Sequence, residues 1–156
     1  MKIIAVDPGL ARIGWAILES DGDSFSLVEC GLLQTPKEDN LPKRLSGIHS
    51  KITEIISRYK VSSFAIEELF FSKNVKTAID VAQARGVIIM SAQLVGLPVY
   101  EYTPNQIKQA VTSSGSADKL QVGKMVQMLL RLPSIPSPDD VADACALGLC
   151  HLFSLR

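Results

Sequence analysis

The N-terminal stretch KIIAVDPGLARIGWAILESDGDSFSLVECGLL, residues 2–33, decides the fold. It contains three apolar runs, at residues 2–6, 13–18 and 25–33, and the turn sequences DPG and DGD separate them. Apolar runs of this length, separated by Asp, Gly and Pro, are typical of β-strands joined by turns. The stretch therefore predicts an antiparallel meander of three strands.

The rest of the chain alternates between helical and strand patterns. Apolar residues recur at three- and four-residue steps from residue 41, which predicts a long amphipathic helix with Pro42 near its start. Two short apolar runs predict further strands, and Thr103-Pro104 has the form of a capped helix start. The predicted order after the meander is a helix from residue 41, a strand at 63–66, a helix at 73–94, a strand at 97–102, helices after Thr103 and around 122–129, and a last helix at 138–153. This order predicts an α/β fold with a mixed five-stranded sheet and helices on both faces.

Length and composition favour a single folded domain. The chain has 156 residues, of which 47% are apolar and 21% charged, as in ordinary soluble proteins. The longest mostly apolar stretch, residues 87–97, is too short to cross a bilayer, and no signal-peptide pattern opens the chain. Cys30, Cys145 and Cys150 form no CxxC pair and predict buried reduced thiols. We expect one domain over residues 1–156, in the cytoplasm and without a membrane span.

Charge is balanced over the chain but not along it. The sequence contains 16 basic and 16 acidic residues, yet residues 70–131 carry 7 Lys and Arg against 3 Asp and Glu. The segments on either side both have an excess of acids. A basic segment between acidic ones is consistent with a polyanion-binding face beside a cation-binding site, although a solvated helix surface gives the same count.

Carboxylates follow two of the predicted strands directly. Asp7 comes at the end of the first strand, and Glu67 and Glu68 follow the fourth. Because successive strand residues point to opposite faces, only one of the two glutamates can lie beside Asp7, and alternation alone does not decide which. The alternative is that Asp7 caps the turn at Pro8 and Gly9 and that both glutamates are solvated.

Three further acids lie at the start of the last helix. Ser137-Pro138-Asp139-Asp140 has the form of a capped helix start, where the helix dipole favours acids without any function. Asp143 lies one turn further on, in an otherwise apolar helix, and shares a face with Asp140. Carboxylates on one buried face repel one another unless a cation neutralises them. If the ends of the first and fourth strands meet this helix, the oxygen donors select Mg²⁺ or Mn²⁺, and two such ions would support phosphodiester hydrolysis.

Five motifs occur in order along the chain: AVDPG at 5–9, FAIE at 64–67 followed by Phe70, QARGV at 83–87, GSADK at 115–119 and DVADA at 140–144. Together they resemble the RuvC family of bacterial Holliday junction endonucleases. This resemblance implies a ribonuclease-H-like fold and a homodimer that nicks two opposed strands of a four-way DNA junction. It also implies Mg²⁺ as the cofactor and a branch-migration helicase as a partner. The oxygen donors allow Mn²⁺ as a substitute. We expect two ions per site, but the sequence does not decide between one ion and two.

The resemblance also implies roles for individual residues. The residues that match the family's metal-binding acids are Asp7, Glu67, Asp140 and Asp143. This match selects Glu67 over Glu68 and Asp140 over Asp139, and Lys119 is expected to act in catalysis. The expected DNA contacts are Phe70, Phe71, Lys73, Lys76, Arg85, Lys108, Lys119 and Lys124.

Two-fold symmetry of the substrate favours a two-fold symmetric dimer. We expect the dimer contact on the helix at residues 75–94. Small residues at positions 78, 82 and 86 permit close approach of another backbone, which is either the sheet of the same chain or a second subunit. Two alternatives have different functions: a ribonuclease H that cuts RNA–DNA hybrids, and a junction-binding protein without catalysis whose acids only cap helices.

Overall fold

The computed structural model describes residues 1–69 and 75–156 and contains one five-stranded sheet. The strands are β1 (Lys2–Asp7), β2 (Arg12–Asp21), β3 (Ser24–Gln34), β4 (Ser63–Glu67) and β5 (Val99–Tyr102). The helices are α1 (Leu41–Tyr59), α2 (Val75–Leu94), α3 (Pro104–Thr112), α4 (Lys119–Leu129) and α5 (Asp139–Ser154). None of the helices in these described ranges is long and apolar enough to span a membrane.

The sheet is mixed, as the sequence predicts, and its strand order is β3-β2-β1-β4-β5. The meander pairs antiparallel, β1 with β2 and β2 with β3. The later strands pair parallel, β4 with β1 and β5 with β4, since each is reached through a helix. The first strand is therefore central, and its carboxyl end lies beside that of β4.

Each face of the sheet is covered by its own hydrophobic core. Ile4, Val6, Phe64 and Ile66 face α1 and α2, where they pack with buried side chains of both helices. The alternate residues of the same strands face α3, α4 and α5, and Ala5 and Ala65 are among them. Strand alternation thus gives β1 and β4 one side toward each layer of helices.

Helix α5 packs very close to the sheet because glycines lie at two of its contacts. A Cβ atom at Gly14 of β2 would lie 1.8 Å from the carbonyl oxygen of Asp140, and one at Gly148 would lie 2.7 Å from Leu18 Cδ1. Neither position has room for a side chain. The first turn of α5 is therefore held directly over the start of β2.

Helix ends agree with the sequence at α3 and differ at α5. Thr103 caps α3, and its side chain and that of Gln106 form the predicted capping box. At α5 the prediction of a Ser137 cap was wrong, because Pro138 is the N-cap residue and no side chain caps the helix. The fifth strand begins at Val99, two residues later than predicted, after Gly96 with φ +75° and Pro98.

Candidate active site

The ends of β1 and β4 bring Asp7 and Glu67 together. Val6 pairs with Ile66 in the parallel register, so the two acids occupy the next position on neighbouring strands. Asp7 follows Ala5 and Glu67 follows Ala65 on the face that packs against α5. Alternation therefore favours Glu67 as the neighbour of Asp7 on that face, and Glu68 comes directly after the end of β4.

Helix α5 adds Asp140 and Asp143 from its first two turns. The side chain of Asp140 is 28% exposed and that of Asp143 is 35% exposed, whereas Asp139 is 84% exposed. Both Asp140 and Asp143 interact electrostatically with Asp7. The structure thus brings Asp7, Glu67, Asp140 and Asp143 to one edge of the sheet and leaves Asp139 at its outer rim.

Burial and mutual repulsion perturb the two strand acids. Burial raises the pKa of Asp7 from 3.8 to about 8, and repulsion from Glu67, Asp143 and Asp140 adds to the shift. Burial also raises the pKa of Glu67 to about 7, with a further contribution from Asp143. Two buried carboxyl groups with raised pKa values at neighbouring strand ends resist ionisation, and this arrangement is typical of a site that attracts a cation.

Each helix acid has a basic partner from another element. Lys119 Nζ donates to Asp143 Oδ2 at 3.3 Å and lies 3.8 Å from Asp139 Oδ2. Arg12 donates to Asp140 Oδ2 through Nε at 3.0 Å and through Nη2 at 2.7 Å. Burial and Lys119 oppose each other at Asp143, and the net effect raises its pKa.

Arg12 is a residue of the site that the sequence pattern does not indicate. The signal that could have found it is position: Arg12 opens β2, which runs antiparallel to β1, and the register pairs Asp7 with Gly14. Arg12 must therefore lie just beyond the end of β1, on the side where the acids gather. That inference also requires knowing where α5 packs, which the residue pattern does not reveal.

Glu67 borders two cavities among the described residues. One of about 260 Å³ is lined by Glu67, Lys108, Lys119 and Asp143 together with apolar residues of α3, α4 and α5. The other, of about 220 Å³, is lined by Asp7, Glu67 and Glu68 together with Pro8, Leu69 and Pro104. The acids are thus accessible from solvent, and two lysines face the space in which a phosphate could lie.

The donor set fits a hard divalent cation. Asp7, Glu67, Asp140 and Asp143 offer only carboxylate oxygens, which suit Mg²⁺ or Mn²⁺ and not zinc. Within residues 1–69 and 75–156, no three Asp, Glu, His or Cys side chains are close enough to form a ready ligand group. The pairing of Asp140 with Arg12 and of Asp143 with Lys119 draws these two acids toward bases on other elements.

The predicted DNA contacts fall into four groups. Lys108 and Lys119 line the cavity at the acids, and Lys76 and Lys124 are exposed on α2 and α4. Arg85 remains a predicted DNA contact, and its side chain is 16% exposed. Its Nε donates to the Glu67 carbonyl oxygen at 2.9 Å, and Nη2 forms an ion pair with Glu101. The remaining predicted contacts, Phe70, Phe71 and Lys73, lie outside the described residues.

The cysteines and His151 lie away from the acids. Cys145 and Cys150 are buried free thiols, and Cys30 is a half-buried one. His151 is buried, with its Nε2 2.8 Å from Ser63 Oγ and its Nδ1 2.8 Å from Tyr102 Oη. Burial lowers the pKa of His151 to about 4, so the imidazole is neutral and structural at physiological pH.

A mixed five-stranded sheet whose central strand ends carry acids, faced by acids of the last helix, defines the class of ribonuclease-H-like nucleases. The family model "Crossover junction endodeoxyribonuclease RuvC" matches residues 3–151. Proteins of that name from Petrotoga mobilis and Pelotomaculum thermopropionicum are 48% and 50% identical over 151 residues, 97% of this chain and 93% and 92% of theirs.

A solved structure shows the same similarity. RuvC of Thermus thermophilus in complex with its Holliday junction substrate superposes with a TM-score of 0.95 at 32% identity, covering 100% of this chain and 95% of that one. The chain belongs to the RuvC family of crossover junction endodeoxyribonucleases. The resemblance noted in the sequence and the predicted fold class are confirmed.

Proposed function

We propose that this protein resolves four-way DNA junctions by paired, symmetric nicks through metal-assisted phosphodiester hydrolysis, in DNA recombination and repair. The observation that carries the proposal is the meeting of Asp7, Glu67, Asp140 and Asp143 at one accessible edge of the sheet. Membership in the RuvC family and the junction complex of the Thermus relative support the choice of substrate. The nuclease domain comprises residues 1–156.

The four acids are the proposed metal ligands. Asp7 and Glu67 are fixed by the sheet, and Asp140 and Asp143 by α5, so each pair sits on a rigid element. Mg²⁺, or Mn²⁺ in its place, would activate a water molecule and stabilise the leaving oxygen when two ions are bound. This edge of the sheet favours a divalent cation because the cation would neutralise the negative charges of Asp7 and Glu67, which are poorly solvated.

Lys108 and Lys119 act on the DNA phosphates at the site. Both line the cavity that Glu67 and Asp143 border, and their positive charges lower the cost of ionising Glu67. Lys119 is the catalytic member, because its ammonium group already lies 3.3 Å from Asp143 and can balance charge that develops on a phosphate. Further contacts come from Phe70, Phe71, Lys73, Lys76 and Lys124.

The protein acts as a homodimer whose contact involves the outer face of α2. Ile79, Met90 and Leu94 are 50%, 48% and 68% exposed on this helix, and Ala82 and Gly86 between them are exposed as well. Ala78, also counted among the small residues, is instead buried in the protomer. Bulky apolar side chains around small ones suit a close helix-to-helix contact. A branch-migration helicase is the proposed further partner, and the cytoplasm the proposed location.

Cleavage of defined substrates tests the proposal. Purified protein is mixed with an end-labelled four-way junction, a plain duplex and an RNA–DNA hybrid, each with Mg²⁺ and with EDTA. Asp143→Asn is tested in parallel, with Asp139→Asn as the matched control on the exposed side of α5. We expect paired nicks in the junction alone, lost with EDTA and in Asp143→Asn and retained in Asp139→Asn.

Other outcomes would identify another function. Tight junction binding without cleavage under any metal would indicate a junction-binding protein. Cleavage of the hybrid alone would indicate a ribonuclease H. Loss of cleavage in Asp139→Asn as well as in Asp143→Asn would show that Asp139 also contributes to the site.

A further inference from the structure

Arg12 occupies an oxygen that the proposed function gives to a metal ion. Its guanidinium donates twice to the same atom, Asp140 Oδ2, at 3.0 Å and 2.7 Å. The side chains are 48% and 28% exposed, so the pair lies at the surface of the site and can open without unfolding. An exposed pair of this kind is weak.

A second arginine lies close to Arg12. Arg12 and Arg44 line one open groove of about 350 Å³, which runs from Gly9 at the end of β1 toward the start of α2. Arg44 Nε donates to the neutral Thr35 Oγ1 at 2.8 Å, and no ion pair found in the described part of the chain involves Arg44. Asp80 also lines the groove and is its one acid among the lining residues.

We propose that Arg12 and a divalent metal ion compete for Asp140, and that metal binding releases the guanidinium to pair with a DNA phosphate in the groove that Arg44 shares. The inference rests on the proposed function, because it assumes that Asp140 is a metal ligand. Arg12 is then a positioning residue that contacts first Asp140 and later a DNA phosphate. It holds Asp140 before the metal arrives and holds the nucleic-acid backbone afterwards.

Electrostatics supports the exchange. An oxygen that already accepts two charged hydrogen bonds is a poorer ligand, so Asp140 cannot contribute fully to a metal until the arginine leaves. A released guanidinium beside Arg44 leaves two positive charges against the single Asp80. Two arginines in one groove suit a phosphate, which guanidinium groups bind in a forked geometry.

Metal binding to the DNA-free protein tests the first half of the proposal. Calorimetric titration with Mn²⁺ is carried out on wild type, Arg12→Gln, Arg12→Lys and, as a matched control, Arg44→Gln. We expect Arg12→Gln to bind Mn²⁺ about fivefold more tightly, the upper limit for loss of an exposed competing ion pair. Arg12→Lys, which keeps the charge without the forked geometry, falls between, and Arg44→Gln equals wild type. Unchanged or weaker Mn²⁺ binding by Arg12→Gln would overturn the competition.

The salt dependence of cleavage tests the second half. The junction concentration that gives half-maximal single-turnover cleavage is measured at saturating Mg²⁺ over a series of salt concentrations. The logarithm of this junction concentration is plotted against the logarithm of the salt concentration. Loss of one phosphate contact lowers the slope of that plot by about 0.9, and we expect this change in Arg12→Gln. An unchanged slope would overturn the phosphate contact.

Mn²⁺ binding by Asp140→Asn distinguishes a failure of the exchange from a failure of the proposed function. If that variant binds Mn²⁺ as tightly as wild type, the assignment of Asp140 as a ligand fails, and the proposed function must be revised at that residue. If Asp140→Asn binds weakly while Arg12→Gln equals wild type, only the exchange fails. Thermal melting of each variant shows that it is folded before either result is used.

Discussion

At the scale of single residues, two acids of the site form ion pairs and two are buried at the ends of strands. Asp140 and Asp143 on α5 are paired with Arg12 and Lys119, whereas Asp7 and Glu67 at the strand ends are buried beside each other. Folding therefore retains a proton on the strand acids at pH values where an exposed carboxyl would lose it. The buried acids lower the stability of the fold, as expected where charge is concentrated for catalysis.

Asp7→Asn is predicted to stabilise the metal-free protein at high pH. The pKa of Asp7 is about 8 in the folded chain against 3.8 ordinarily, so its contribution to stability is complete below about pH 4 and lost as the pH rises through 8. In EDTA at pH 8.5 we expect a melting temperature about 4 °C above wild type, roughly 1–2 kcal/mol, and a smaller gain at pH 5. Differential scanning fluorimetry measures both.

Metal addition provides the second arm of this experiment. Mg²⁺ is expected to raise the melting temperature of wild type and to have little effect on Asp7→Asn, which should not cleave junctions. Asp21→Asn, at an exposed strand end, is the matched control and should behave as wild type. A melting temperature for Asp7→Asn below wild type at both pH values would contradict the prediction.

At the scale of elements, the fit of α5 against β2 sets the position of two acids. Gly14→Ala places a methyl carbon 1.8 Å from the Asp140 carbonyl oxygen. Because this oxygen belongs to the backbone, it cannot move aside as the end of a flexible side chain can. We expect a loss of about 2–4 kcal/mol in the free energy of unfolding, and cleavage reduced at least tenfold in the folded fraction. Urea unfolding and junction cleavage measure the two effects.

Gly47→Ala is the matched control for that substitution. Gly47 lies within α1, and a Cβ atom there would have no atom within 4 Å. Alanine is the better helix former by about 0.5–1 kcal/mol, so this variant should be more stable than wild type and cleave normally. Equal behaviour of the two variants would show that α5 does not depend on the close approach at Gly14.

Arg85 on α2 contacts residues at the ends of β4 and β5, and the expected effect of replacing it follows from those contacts. Because it donates to the Glu67 carbonyl and pairs with Glu101, we expect Arg85→Gln to lower the cleavage rate at saturating junction by about tenfold. Its half-saturating junction concentration should change less than twofold. Arg85→Lys should recover part of the rate.

Lys124→Gln provides the contrast, since Lys124 is exposed on α4. It should raise the half-saturating junction concentration and leave the rate at saturation alone. The same titrations measure both variants. If Arg85→Gln instead weakens binding and lowers the salt slope, the original assignment of Arg85 as a DNA contact is correct.

The sequence predicted the helices and strands better than the contacts between residues that are distant along the chain. The meander, the long α1 and the capping box at Thr103 follow from local patterns, and all three are present. The choice between Glu67 and Glu68 depends on which face of the sheet α5 covers, and that is set by long-range packing. The contacts of Arg12 with Asp140 and of Arg85 with Glu67 could not be predicted for the same reason, because the partners lie far apart along the chain.

At the scale of the whole molecule, the outer face of α2 sets the expected assembly. Met90→Glu places a charge amid Ile79 and the exposed small residues, and we expect it to convert a dimer into monomers at micromolar concentration. Met128→Glu is the matched control, because Met128 is 62% exposed on α4, away from that face. Sedimentation velocity measures the assembly state.

Cleavage products report the consequence of losing the dimer. We expect Met90→Glu to make single, unpaired nicks or none, because two sites must act on one junction. Met128→Glu should make paired nicks. A wild-type monomer, or a dimer that survives Met90→Glu, would place the contact on another surface.

The pairing of the α5 acids with Arg12 and Lys119 also bears on how a newly synthesised chain reaches its native state. Half of the carboxylates at the site are balanced by the protein's own bases, and the other half can hold a proton. The chain can therefore complete its fold before it encounters any divalent ion. We expect the ion to be required for turnover and dispensable for biosynthesis, unlike in small domains that a structural metal holds together.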